Sequence, residues 1–86
     1  MIKYSPSHGT DEGRLLAAII RAGYFPRLDY EGTAGWYVYI LWPFGDMLAR
    51  GNKRTRRGAI IEAIKNANRK LKQEIQPVAH TNKEMP

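Results

Sequence analysis

Apolar residues follow a helical rhythm at both ends of this chain and a strand rhythm in its middle. Leu15, Leu16, Ile19 and Ile20 recur at helical spacing, which predicts a helix over residues 11–22. Thr10 stands where an N-cap belongs, and Asp11 and Glu12 complement the positive end of the helix dipole. Gly23 occupies the left-handed position that closes a helix, with Tyr24 placed to fold back on Ile19. Residues 25–30 alternate around Leu28 and Tyr30, and Pro26 confines them to a strand start or a sheet edge. The stretch 36–42, Trp-Tyr-Val-Tyr-Ile-Leu-Trp, has no polar alternation and predicts a central strand apolar on both faces. A glycine-bounded loop at 31–35 joins these strands, a second turn falls at 43–46, and residues 47–50 form a short third strand.

Residues 51–54, Gly-Asn-Lys-Arg, read as a basic loop, followed by Thr55 as the N-cap of a long helix over 56–75. Ile60, Ile64, Ala67, Leu71 and Ile75 form its buried stripe, and Pro77 is expected to end it. Residues 1–9 have the composition of a flexible arm and 77–86 that of a tail, leaving a single domain over 10–76. The order is α-β-β-β-α. Its simplest architecture is an α+β fold, a three-stranded antiparallel sheet with two helices packed on one face.

Composition narrows the function classes. With 86 residues there is room for one modest core and no second domain. No cysteine is present, which excludes disulfides, thiolate nucleophiles and zinc–thiolate sites. The longest apolar run is too short to span a bilayer, so no membrane partner is expected. The first residues carry no apolar signal core, which makes the cytoplasm the expected location. The formal net charge is +6, from 14 Lys and Arg against 8 Asp and Glu, and it is unevenly distributed. Up to Gly45 there are 4 basic and 4 acidic residues, and beyond it 10 and 4, so the whole excess follows Gly45. Segregated positive charge points to a polyanionic partner, against the plainer reading of a solvated face.

Three features carry candidate chemistry. Arg50, Lys53, Arg54, Arg56 and Arg57 cluster around the start of the second helix. Cations are unfavourable in a first helical turn unless an anion joins them, and a phosphate would meet free N–H groups there, with Gly58 allowing close approach. Lys65, Arg69 and Lys72 then line one side of that helix and would extend the patch along a nucleic-acid strand, or simply fill an exposed face. Tyr37 and Tyr39 share the sheet face opposite Val38 and Ile40, where they could stack bases, anchor a protein partner or remain ordinary half-exposed tyrosines. Catalysis has little support: His8 and His80 lie in the terminal segments, and nothing suggests a metal site, a cofactor site or an acid–base pair.

The α-β-β-β-α order with a basic start to its last helix resembles the double-stranded RNA-binding domain over roughly residues 11–75. That family opens its final helix with a Ser-Lys-Lys-x-Ala type signature, and Thr55-Arg56-Arg57-Gly58-Ala59 stands in the matching place. The resemblance implies phosphate contacts by Arg56 and Arg57. The family's Gly-Pro-x-His hairpin element is replaced here by Glu31-Gly32-Thr33-Ala34-Gly35. The last two strands and final helix are also similar to the DNA-binding domains at the front of some phage integrases. Small ribonuclease toxins share the order of elements but need a histidine on the sheet, which this chain lacks.

The expectation is a non-enzymatic nucleic-acid-binding module for DNA or RNA. Its phosphates would be met by Arg54, Arg56 and Arg57, with Arg50, Lys53, Lys65, Arg69 and Lys72 extending the patch. The rival is a small phage-type inhibitor, anti-CRISPR-like in size, that binds an acidic protein surface or a host complex. An uncovered edge strand could also pair two copies.

Overall fold

A computed structural model describes the backbone of residues 1–4 and 12–84, and side chains as far as residue 72. Its elements run α1 (Glu12–Arg21), β1 (Phe25–Glu31), β2 (Gly35–Leu41), β3 (Met47–Lys53) and α2 (Arg56–Glu84). The strands form one antiparallel sheet in the order β1-β2-β3, with both helices contributing to a single core, the α+β arrangement expected from the pattern. The N-cap expected at Thr10, and His8 with the other turn formers of residues 5–9, lie outside the described residues.

Local chemistry explains the turns. Gly23, at φ 100°, closes α1: the Tyr24 N–H donates to the Ile19 carbonyl at 3.2 Å and the Gly23 N–H to Ile20 at 3.0 Å. This is the Schellman ending that the Gly23-Tyr24 pair predicts. Gly35 and Gly45 close the two hairpins at φ 90° and 103°, conformations that favour glycine. In the ladder between β2 and β3, Ile40 faces Ala49 and Leu41 faces Met47, leaving Leu48 as an extra residue. This bulge turns Leu48 and Ala49 both inward, where strict alternation would bury only one of them.

The core joins Leu15, Ala18 and Ile19 of α1, Val38 and Ile40 of β2, Leu48 and Ala49 of β3, and Ala59, Ile60, Ala63, Ile64 and Ala67 of α2. Ile20, placed in the buried stripe by spacing, is 56% exposed. The stripe is centred instead on Leu15, Ala18, Ile19 and the partly buried Ala22. On α2 the fully buried Ala59 and Ala63 were not part of the expected stripe, and their small size lets β3 approach closely.

Three boundaries differ from the sequence reading. Gly51, Asn52 and Lys53 are the end of β3, not a basic loop. Gly51 is buried against α2, so its missing side chain serves close strand–helix packing and not chain reversal. The helix α2 continues to Glu84, through Pro77. A proline removes one helical hydrogen bond and crowds the preceding turn, which is a cost and not a prohibition. The beginning of the chain, expected in the loose arm, is anchored: Ile2 is 2% exposed. Its N–H donates to Asn68 Oδ1 at 2.7 Å and its carbonyl accepts from Asn68 Nδ2 at 2.9 Å. One amide thus satisfies both backbone groups of a residue whose side chain is inside the core. Asn68→Ala is expected to lower the unfolding free energy by about 2 kcal/mol, because both groups lose their partner at a partly buried site. A urea-unfolding midpoint equal to that of the parent chain would show that Asn68 does not hold the chain start.

Candidate nucleic-acid interface

The start of α2 is capped as its sequence suggests. Thr55 Oγ1 accepts the Gly58 N–H at 3.1 Å, and the Thr55 carbonyl accepts the Ala59 N–H at 3.0 Å. The arginines around it diverge. Arg56 donates its Nε–H to Glu12 of α1, and its guanidinium lies 5.2 Å from the centre of the Trp36 ring. Trp36 in turn packs at 5.0 Å against Tyr30. The cation in the first turn therefore finds its counter-charge and an aromatic face inside the fold. Arg57 Nε is shielded from solvent and has no hydrogen-bond partner among the described residues. Arg54 borders a shallow hollow at the first hairpin with Tyr30, Gly32, Thr33 and Gly35. The three arginines expected to share one phosphate site thus point into three surroundings.

Cations converge instead beside the outward face of α2. Lys53 at the end of β3 shares a groove of about 230 Å³ with Lys65 and Arg69, floored by Gly58 and Ile61. Lys72 is exposed one turn beyond Arg69. The one acid lining this groove, Glu62, is engaged on both oxygens: Oε1 accepts the Asn52 N–H at 2.7 Å, and Oε2 lies 3.8 Å from Lys53 Nζ. Arg69 is steadied by Asn66, whose Oδ1 accepts from Nη1 at 3.2 Å while its Nδ2 donates to the Arg50 carbonyl at 2.7 Å. The strand end and the helix face, twelve residues apart at Lys53 and Lys65, are brought side by side by the short turn at Arg54-Thr55.

The open face of the sheet is a second surface. Tyr37 and Tyr39 lie there with ring centres 6.3 Å apart and planes within 13°, and the Arg50 guanidinium sits 5.8 Å from the Tyr37 ring centre. The register sets Arg27 and Arg50 on either side of Tyr39. Phe25 and Met47, 51% and 50% exposed, flank Leu41 at one end of the same face. Arg50 therefore belongs to the tyrosine face and not to the helix groove.

Two basic features lie outside the clusters that the sequence singles out. Arg27 joins the tyrosine face, where Asp29 Oδ2 lies 3.5 Å from its Nε. Lys3, Arg14 and Arg21 line a groove of about 450 Å³ along α1 with Tyr4, Leu15 and Ala18. Of the acids in the first 45 residues, Glu12 is turned toward Arg56 and Asp29 lies on the sheet, so neither lines this groove. The seven-residue spacing of Arg14 and Arg21 was the available signal.

No helix among the described residues is long and apolar enough to cross a membrane. Comparisons with family models, curated proteins and solved structures gave no match.

Proposed function

We propose that this chain is a nucleic-acid-binding module that meets phosphates along the outward face of α2, through Lys53, Lys65, Arg69 and Lys72. The observation that carries this reading is the convergence of Lys53, Lys65 and Arg69 on one groove whose single lining acid is already engaged. Such a row offers charge to a phosphate backbone without reading bases, so binding should be largely indifferent to sequence. The test is a salt series with duplex and single-stranded DNA and RNA. If the four cations each neutralise one phosphate, log affinity on duplex DNA falls against log salt with a slope of roughly −3.5. Absence of binding at low salt, or binding insensitive to salt, would overturn the proposal.

A second reading rests on the tyrosine face. Tyr37 and Tyr39, with Arg50 beside them and Phe25, Leu41 and Met47 at one end, supply aromatic, arginine and apolar anchors of the kind that dominate protein interfaces. This favours a small inhibitor or adaptor that docks on a protein. Failure to bind any of the four nucleic acids would favour this reading over the first.

A further inference from the structure

The two edges of the sheet are treated differently. On β3 the edge is occupied: the Asn52 N–H donates to Glu62, and the Arg50 carbonyl accepts from Asn66. These bonds also fix which backbone groups point outward elsewhere. Residues 50 and 52 face away from β2, so Gly51 and Lys53 bond to their partners Val38 and Trp36. Val38 and Trp36 are thereby turned toward β3, and Tyr37 and Tyr39 toward β1, where Asp29 and Arg27 are their partners. On β1, an edge strand of the sheet, Pro26, Leu28 and Tyr30 then direct their backbone groups away from β2. Pro26 sits at an outward position, where its lack of an N–H costs the ladder nothing.

We propose that β1 is the docking edge for a second copy of this chain, paired antiparallel about a two-fold axis at Leu28. In this register the two Leu28 residues exchange N–H···O bonds, and each Tyr30 N–H donates to the Pro26 carbonyl of the partner subunit. Arg27 faces the partner's Asp29 and Asp29 faces the partner's Arg27, extending the Arg27–Asp29 pair into an alternating ring of four charges on the open face. The sequence selects this register. The neighbouring registers that keep outward groups paired set Arg27 against the partner's Arg27, or Asp29 against the partner's Asp29. Centring on Pro26 removes the central donors, and centring on Tyr30 sets Asp29 against the partner's Glu31. The basic row of α2 lies beside β3, at the far edge, and does not oppose the approach. Pairing would join two sheets into one of twice the width, with both tyrosine faces on the same side.

The charge ring gives a test that does not depend on nucleic-acid binding. Sedimentation from micromolar to millimolar chain should show the wild type passing from monomer to dimer. Arg27→Asp alone and Asp29→Arg alone should each weaken association about tenfold or more, since two attractive cross-strand pairs become repulsive. Mixing these two variants should restore association as a heterodimer, and the double variant Arg27→Asp/Asp29→Arg should restore the homodimer. Near-UV circular dichroism confirms that each variant is folded. A wild type that stays monomeric at millimolar concentration, or a mixture that forms no heterodimer, would overturn the proposal.

Discussion

Gly51→Ala is expected to cost about 3 kcal/mol of unfolding free energy, although local propensity predicts the opposite sign. Gly51 lies in β3 without a positive φ, so its backbone conformation suits alanine, and glycine inside a strand is ordinarily a weakness. The cost comes from α2. A Cβ at Gly51 would lie 2.5 Å from the Ala63 backbone nitrogen and closer still to the Ala59 carbonyl oxygen. These are helix backbone atoms and not the ends of flexible side chains, so the relief available is to lift α2 off β3. That movement would loosen Ile60 and Ile64, both fully buried in the same helix. A domain of this size has total stability on the order of 5–15 kcal/mol, so the loss would be visible as a large fall in the urea midpoint. Gly32→Ala is the control: open space surrounds that position, and its change should stay within about 0.5 kcal/mol. Equal stability of the two variants would contradict the close approach of β3 and α2.

Gly51 also shows where the sequence is readable. The element order, the α1 ending at Gly23 and the N-cap at Thr55 depend on contacts a few residues apart, and local spacing predicts them. The tyrosine face follows from the two-residue period of a strand. What local spacing misses depends on distant partners. Gly51 reads as loop punctuation because its reason for being glycine, the pair Ala59 and Ala63, lies on another element. Leu48 turns inward because of a bulge, which no alternation rule predicts. Ile2 is buried because Asn68, 66 residues away, satisfies its backbone. The candidate site follows the same division: its cations were legible, but their neighbours were not. The Arg56 partner is Glu12, 44 residues earlier. A cation at a helix start can mark a missing anion or an anion already supplied by the fold, and only the three-dimensional placement distinguishes them.

That distinction gives the second large effect. The triple variant Lys65→Ala/Arg69→Ala/Lys72→Ala is expected to weaken nucleic-acid association roughly a hundredfold near physiological salt, and to make the duplex salt slope about 3 less steep. Its fold should persist, because these side chains lie on the outward face of α2 and alanine is the strongest helix former. Arg56→Ala should behave in the reverse way. It removes the Glu12 ion pair and the Trp36 contact, lowering stability by about 0.5–1 kcal/mol, while changing affinity by only a small factor. The comparison is made by titrating one duplex with both variants across a salt series and unfolding both in urea. If Arg56→Ala weakens binding as much as the triple variant does, the phosphate site is the helix start. Arg56 would then have to leave Glu12 and Trp36 to reach the phosphate, and those two contacts would be competitors of the nucleic acid and not part of a fixed scaffold.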